Sequence, residues 1–322
     1  MNSKPILIVA GEPNSIFLEI LFKIYKKKKL KNPLILIASY NLLHLQMKKL
    51  KFKKKIKLLK EKNIKEYKLN NESINLIDIN YNQKNAFEKI SKKSNNYIKN
   101  SFKVALNLIK KGVTNKLING PISKKYFLGK KYLGVTEYLA KKTNKKKFAM
   151  LIFNNSLSVS PITTHLPIND ISKKLKKSLI IEKIILVDNF YKKFFRFKPS
   201  IAVTGLNPHC ESIKKFNEDD KIVKPAIIHL KKKGLDIFGP YAADTIFLKK
   251  NRSKFNVIIG MYHDQVLAPM KTLFEYDAIN ITLGLPFIRI SPDHGPNQNM
   301  IGKNLSNSQS LFNAINFLEK IK

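Results

Sequence analysis

The sequence is poor in cysteine and arginine, and it has no long apolar run. Cys210 is the one cysteine in 322 residues, which excludes an internal disulfide framework and a cysteine-rich zinc site and predicts a reducing compartment, the cytoplasm. No apolar run approaches the ~18 residues that a membrane span needs, so we expect no membrane partner. The apolar run Ile6–Ala10 is too short for a signal peptide and is soon followed by Glu12, so we interpret it as a buried first strand.

Acidic residues are also scarce: 22 aspartates and glutamates stand against 58 lysines and three arginines, so the formal net charge is +39. Proteins that bind nucleic acids usually rely on arginine for bidentate contacts. Lysine, asparagine and isoleucine are inflated together here, which is typical of a compositional bias. We therefore expect no nucleic-acid partner and keep a basic nucleic-acid-binding protein as the less favoured alternative. A lysine-coated surface would still steer an anionic substrate.

Apolar runs alternate with stretches of helical spacing, which predicts an α/β fold with a largely parallel sheet. The length allows one large or two ordinary domains, and no linker rich in glycine, serine or proline marks a boundary. The predicted strands are Ile6–Ala10, Leu34–Ala38, Lys116–Ile118, Ala149–Phe153, Ser158–Ile162, Ile201–Thr204, Val257–Met261 and Ile279–Thr282. The predicted helices include Ile16–Lys27, Phe87–Lys111, Lys173–Phe195, Asp219–Lys233 and Ser310–Ile321.

Lysine is scarce or absent in three windows of the sequence. Phe255–Gly302 holds one lysine, where composition predicts roughly eight or nine, and Phe148–Ser172 and Ser200–Ser212 hold none. Core strands explain the apolar parts of these windows. They do not explain polar segments such as "HDQ", "SPDHGPNQN" and "GLNPHCES", which indicate a functional site.

Three of the histidines in these windows follow predicted strands: His165, His209 and His263. Ligands of open α/β sheets bind outside the carboxyl ends of the strands, and three imidazoles with an open fourth position make a catalytic metal site. The long spacing leaves a second interpretation open, in which each histidine satisfies only local backbone groups. His44 and His229 lie in helical patterns, and we interpret both as structural.

Lys271 and Arg289 are cations in a cation-poor region, with Asn280 between them. Such groups suit a phosphate or a carboxylate. Ordinary ion pairs, with Glu275 or Asp277, are the alternative. Asp244 is compatible with a base, a metal neighbour or a helix cap.

Eight segments together resemble the 4-hydroxythreonine-4-phosphate dehydrogenase family of pyridoxal phosphate biosynthesis, from Ile6 to about residue 320. They are "GEPNSIFLEI", "NGPISKKYF", "GVTEYLA", "ITTHLPI", "TGLNPH", "GPYAADTIF", "MYHDQVLAPMK" and "INITLGLPFIRISPDHG". The resemblance implies a two-lobed α/β fold like isocitrate and isopropylmalate dehydrogenases, with a cleft between the lobes. Residues 1–128 with 266–322 would form the cofactor-side lobe, and 129–265 the metal and dimer side. The resemblance also implies a homodimer whose active sites are shared across the interface.

The same resemblance implies the roles of individual residues. The metal ligands would be His165, His209 and His263, with Zn, Mg, Co or Mn as the divalent metal. Substrate contacts fall on Thr136, Lys271, Asn280 and Arg289, catalytic roles on Asp244 and Lys124, and NAD or NADP binding on Asp293, His294 and Gly295.

The implied reaction is the metal-dependent, NAD(P)-linked oxidation of 4-phosphohydroxy-L-threonine. The β-keto acid product then loses carbon dioxide to give 3-amino-2-oxopropyl phosphate. A sibling activity on threonate or erythronate 4-phosphate is the alternative within the family.

The chain departs from the family pattern around the substrate and cofactor positions. Val135 stands where the family has histidine before the threonine, and Ser15 and Phe17 replace two glycines. The segment after His209 is shortened to "CESIKK". In the segment "DHGPNQN", Pro296 and Asn299 stand where the family has a threonine and an acidic residue.

Overall fold

The computed structural model describes residues 4–27, 29–129, 132–211, 216–292 and 295–321. The chain folds into two compact units, Met1–Tyr138 with Pro286–Lys322, and Leu139–Leu285. The boundaries implied by the resemblance lie at 128 and 265. The observed division therefore assigns residues 129–138 to the first unit and 266–285 to the second.

Strands and helices alternate along most of the chain. The strands of the described residues are β1 (Ile6–Val9), β2 (Leu34–Ala38), β3 (Ile56–Leu58), β4 (Ile74–Asp78), β5 (Lys116–Asn119), β6 (Ala149–Phe153), β7 (Ser158–Thr163), β8 (Ile201–Thr204), β9 (Ile237–Tyr241), β10 (Val257–Tyr262), β11 (Ile279–Leu283) and β12 (Ile288–Pro292). The α-helices there are α1 (Phe17–Lys27), α2 (Tyr40–Lys49), α3 (Asn95–Lys110), α4 (Val135–Lys142), α5 (Ile168–Lys174), α6 (Lys177–Phe195), α7 (Lys224–Lys232), α8 (Ala243–Ile246), α9 (Lys249–Arg252), α10 (His263–Phe274) and α11 (Gln309–Lys320).

The first unit contains six neighbouring strands in the order β3-β4-β2-β1-β5-β12. Every pairing among them is parallel. The sequences of β1 and β2 are uninterrupted apolar runs because helices cover both faces of a parallel sheet, and both strands are fully buried. Buried Lys116 of β5 donates from its Nζ to the carbonyl oxygens of Leu318 (2.6 Å) and Ile321 (2.7 Å), and so caps the end of α11.

The second unit contains the strand order β11-β6-β7-β10-β8-β9. β6 runs antiparallel to both β11 and β7, whereas β7, β10, β8 and β9 are parallel to one another. Helix α10 packs on β7 and β10 and buries Val266, Leu267 and Met270 in an apolar cluster with Val159 and Ile258. The prediction of an α/β fold with a largely parallel sheet is confirmed.

Two predicted helices are wrong at their amino-terminal ends. Residues 87–91 are not helical, because the Glu88 N–H donates to Asn14 Oδ1 at 2.7 Å, and α3 begins only at Asn95. The predicted helix Lys173–Phe195 is interrupted at Leu175 and Lys176, whose backbones are extended. Tertiary contacts and local breaks thus override the helical pattern in these stretches.

None of the helices in the described residues is long and apolar enough to cross a membrane.

Candidate functional site

The second unit aligns the carboxyl ends of four parallel strands, and each is followed by a predicted site residue. β10 lies between β7 and β8, and β8 pairs on its other side with β9. His165 follows β7, His263 follows β10, His209 follows β8 and Asp244 follows β9. Parallel strands present their carboxyl ends at one edge, where open sheets bind ligands. The fold therefore brings the loops that carry these residues to a common edge.

Two of the histidines are in direct ring contact. The ring centroids of His165 and His263 are 5.8 Å apart, with the planes tilted by 36°. The strands beneath them are tied together by the Thr163 hydroxyl, which donates to the Met261 carbonyl oxygen at 2.7 Å. Both rings are half-buried, so the pair is accessible to a small ligand.

His263 is held in the tautomer that a metal ligand requires. Its Nδ1 lies 2.7 Å from Asp264 Oδ1, and because a carboxylate only accepts, Nδ1 carries the proton. The lone pair of the neutral imidazole then resides on Nε2, the arrangement found in carboxylate–histidine–metal sites. The donors here fit a divalent cation, with Asp264 orienting the ligand.

The third histidine occupies a strained turn. His209 is exposed and has φ 55°, and Cys210 after it has φ 62°. Consecutive left-handed residues other than glycine cost about 1–3 kcal/mol each and persist only where the surroundings impose them. Among the residues that the structure describes, no three histidine, cysteine, aspartate or glutamate side chains form a group that could hold a metal ion. One chain therefore brings together His165 and His263, but it does not add His209 to them.

Lys271 and Asn280 lie away from the histidine edge. Lys271 is eight residues after His263 on α10, about 12 Å along the helix axis at 1.5 Å per residue, and its Nζ donates to the Glu275 carbonyl oxygen at 3.4 Å. Asn280 pairs with Ile152, which pairs with Val159 near the amino end of β7. Val159 is four residues, or about 13 Å, before the carboxyl end of β7. Asn280 therefore lies about that far below the edge that carries the histidines.

The Asn280 side chain is incompletely satisfied. Its Oδ1 is buried and has no hydrogen-bond partner within the described ranges. Such a group is unusual in a folded protein and points to an ordered water or a bound molecule.

In the first unit, Arg289 is a buried cation. It lies on β12, is 2% exposed, and donates from Nε to Asn119 Oδ1 at 2.6 Å. Burial lowers the pKa of Arg289 to about 10, an effect that the nearby Glu137 carboxylate opposes. The charge is still carried at neutral pH, and an anion held against it would be attracted in a poorly hydrated environment.

The other predicted residues of the first unit differ in exposure. Thr136 is buried in the first turn of α4, whereas Lys124 is exposed at the start of the helical turn Lys124–Leu128. Of the three residues implied for the cofactor, Asp293 and His294 lie outside the described residues, and Gly295 is exposed. They follow β12, which is beside β5 and near β1.

The segments after β1 and β5 pack against each other closely. A side chain at Gly11, which has φ 80°, would come within 2.4 Å of the Pro121 carbonyl oxygen, so only glycine fits. The Glu12 N–H donates to the same oxygen at 2.8 Å. This packing gives the carboxyl edge of the first unit a fixed surface.

Sequence reasoning did not assign several residues that support the site. Asn119 holds Arg289, and buried Asp219 holds the loop of His209. Gln265 contacts the Met261 N–H and the Thr204 hydroxyl. Asn119 and Gln265 stand in the segments "NGPISKKYF" and "MYHDQVLAPMK". Their partners Arg289 and Thr204 are distant in sequence, so no spacing signal identifies these contacts.

The sequence matches a known family over most of its length. The profile of the family described as "Pyridoxal phosphate biosynthetic protein PdxA" matches residues 29–318. A 4-hydroxythreonine-4-phosphate dehydrogenase from Sulfurihydrogenibium sp. (strain YO3AOP1) is 38% identical over 320 residues, which cover 96% of this chain and 95% of that protein. A D-threonate 4-phosphate dehydrogenase from Salmonella typhimurium is 32% identical over 302 residues, covering 92% of each chain.

Solved structures give the same result for the fold. A structure titled as a putative 4-hydroxythreonine-4-phosphate dehydrogenase from Salmonella typhimurium superposes with a TM-score of 0.84 at 30% identity, covering 98% of this chain and 99% of that one. Isocitrate dehydrogenase from Methylococcus capsulatus superposes with a TM-score of 0.51 at 8% identity, covering 98% of this chain and 85% of that one. This likeness confirms the predicted fold class alone. With the family profile matched over nearly the whole chain and relatives above 30% identity at nearly full coverage, the chain belongs to the PdxA family of pyridoxal phosphate biosynthetic proteins.

Proposed function

We propose that this protein is a cytoplasmic, metal-dependent dehydrogenase that oxidises 4-phosphohydroxy-L-threonine with NAD or NADP, in pyridoxal phosphate biosynthesis. The β-keto acid formed loses carbon dioxide to give 3-amino-2-oxopropyl phosphate. The observation that carries the proposal is the His165–His263 pair at the carboxyl edge of the second unit. The names and full-length similarity of the relatives support the same reaction class.

The divalent metal, Zn, Mg, Co or Mn, would be held by His165, His209 and His263. Its chemistry is that of a Lewis acid, which lowers the pKa of a substrate hydroxyl and stabilises negative charge on oxygen. The contact between Asp264 and His263 Nδ1 supports this role, because it keeps the opposite nitrogen free of its proton.

Side chains of the protein would bind the substrate and accept its hydroxyl proton. Lys271 and Arg289 would bind the anionic ends of the substrate, and Asn280 and Thr136 its polar groups. The buried position of Arg289 excludes water from that contact and strengthens it. Asp244, which is exposed, is the candidate that accepts the hydroxyl proton. Lys124, also exposed, is the second candidate catalytic residue. The nicotinamide would be held near Asp293–Gly295 and supplies the hydride acceptor.

We further propose that the enzyme is a homodimer whose active sites are shared. Two facts about one chain support sharing. His209 does not join the other two histidines in a metal-sized group among the described residues, and Lys271 and Asn280 lie about 12 Å and about 13 Å from the histidine edge. A second copy would complete the metal ligands and the substrate contacts. Sedimentation or light scattering of the purified protein tests this, and a catalytically active monomer would contradict it.

Steady-state assays test the activity. The metal-free protein is supplied with Mg²⁺, Mn²⁺, Co²⁺ or Zn²⁺ separately, and NADH or NADPH formation from 4-phosphohydroxy-L-threonine is followed. His263→Ala should abolish metal-dependent turnover without lowering the melting temperature, while His44→Ala, at an exposed position of α2, should leave turnover unchanged. No turnover by the wild type with any metal and either nucleotide refutes the proposal, and full turnover by His263→Ala refutes the ligand assignment.

D-threonate 4-phosphate is the alternative substrate. Val135, at the start of α4 beside Thr136, removes the imidazole that the family pattern has there, and a relative at 32% identity is named for the threonate activity. The ratio of kcat/KM for the two substrates distinguishes them. We expect Val135→His to shift that ratio toward 4-phosphohydroxy-L-threonine, since a histidine restores a polar contact; an unchanged ratio would show that position 135 does not select the substrate.

A further inference from the structure

The loop that carries His209 is held from one side by a buried carboxylate. We define the His209 loop as residues 205–211. Asp219 is fully buried, and its Oδ1 accepts from the Leu206 N–H at 2.6 Å while its Oδ2 accepts from the Asn207 N–H at 3.0 Å and from Asn207 Nδ2 at 3.1 Å. One carboxylate therefore accepts three hydrogen bonds from the two residues that lead into the turn at His209.

The same loop is tied from the other side to the helix of His263. Gln265 lies in the first turn of α10 and donates from Nε2 to the Gly205 carbonyl oxygen at 2.7 Å. Its Oε1 accepts from the Thr204 hydroxyl at 2.9 Å and from the Met261 N–H at 2.6 Å. This side chain thus joins the carboxyl ends of β8 and β10, two residues along from His263.

These contacts explain how the turn is maintained. His209 and Cys210 both adopt positive φ, a conformation that a free loop of these residues would leave. Gly205 leaves room for the arrangement, because a side chain there would come within 2.7 Å of Cys210 Sγ and 3.0 Å of Asp219 Oδ1. Residues 205–207, which lead into the turn, are therefore held by two side chains, while the His209 side chain remains exposed.

We propose that Asp219 and Gln265 are positioning residues that hold the His209 loop in its left-handed turn and so present the His209 imidazole, already ordered, for metal binding. The proposal rests on the function proposed above and names the residues that hold one of its metal ligands in place. Residues that orient metal ligands typically change metal affinity by 10–100-fold when they are altered.

The first test compares two adjacent aspartates. In Asp219→Asn an amide replaces one of the two accepting oxygens, whereas in the control, Asp220→Asn, the exposed Asp220 loses its ion pair with Lys224. Competition between the protein and a chromogenic chelator for Zn²⁺ gives the affinity, and hydrogen–deuterium exchange gives the order of the peptide spanning 205–211. We expect Asp219→Asn to weaken Zn²⁺ binding at least 10-fold and to speed exchange in that peptide, with kcat recovered at saturating metal. Asp220→Asn should change neither quantity.

The second test uses two milder substitutions of Thr204, so that the proposal can be tested even if Asp219→Asn does not fold. Thr204→Val removes the hydroxyl that donates to Gln265, and Thr204→Ser keeps it. We expect a several-fold loss of Zn²⁺ affinity in the valine variant and recovery in the serine variant, at equal melting temperatures.

The outcomes separate the two proposals. If the wild type binds no Zn²⁺ and has no activity, the proposed function fails and this inference falls with it. If the wild type binds Zn²⁺ and is active, but Asp219→Asn and Thr204→Val bind as tightly as the wild type, only the positioning role is overturned.

Discussion

Replacing Glu12 by glutamine should stabilise the protein above neutral pH and leave its stability unchanged in mild acid. Glu12 is 2% exposed, directly after β1. Its Oε2 accepts from the Ser94 hydroxyl at 3.1 Å and its Oε1 from the Asn14 N–H at 3.4 Å. Burial raises the pKa of Glu12 from 4.5 to about 7, and these two hydrogen bonds only partly oppose the rise.

The sign of the pH dependence follows from the protons bound. Between pH 4.5 and about 7 the folded protein keeps a proton on Glu12 that the unfolded chain has lost. The free energy of unfolding therefore falls as the pH rises through this window, and the whole cost is present above it. At 1.36 kcal/mol per pH unit the cost is roughly 3 kcal/mol. Glutamine avoids this cost because it is neutral at every pH and similar in shape.

Urea unfolding at pH 5 and pH 8 measures the effect. Other groups titrate equally in both proteins, so the difference between Glu12→Gln and the wild type isolates Glu12. We expect a difference near zero at pH 5 and about 3 kcal/mol in favour of the variant at pH 8. Glu66→Gln, at an exposed carboxylate, is the control and should show no such change. Equal differences at the two pH values would refute the reasoning.

Three further substitutions test the packing and the site. Lys116→Met leaves two carbonyl oxygens at the end of α11 without their donor and should lower the free energy of unfolding by about 2 kcal/mol, while exposed Lys110→Met should have no effect. Gly260→Ala places a methyl group within 2.4 Å of Val266 Cγ1, so calorimetry should show a loss of about 1–3 kcal/mol. Arg289→Lys keeps the charge but loses the planar fork. It should lower kcat/KM roughly 100-fold, about 2.7 kcal/mol in transition-state binding, and unchanged kinetics would remove Arg289 from the substrate site.

Continuous apolar runs made several strands predictable. Leu34–Ala38 and Ala149–Phe153 have the predicted bounds, because strands buried on both faces read as uninterrupted apolar sequence. β3 contains a lysine and β9 contains Gly239 and Pro240, so neither strand showed this signal. Helix α10 begins at His263, immediately after β10, and the sequence of its first turn indicates only a polar cluster.

The sequence alone determined the fold class, the family and the identity of the candidate residues, because strand runs, lysine-poor windows and ordered motifs are written along the chain. Only the tertiary structure decided which residues meet. The strand order β7-β10-β8 places His165 beside His263 rather than His209, and chain order cannot predict that. Burial of Arg289 and the anchoring of the His209 loop by Asp219 and Gln265 depend in the same way on contacts between distant segments, whose pairing is set by packing and register rather than by spacing.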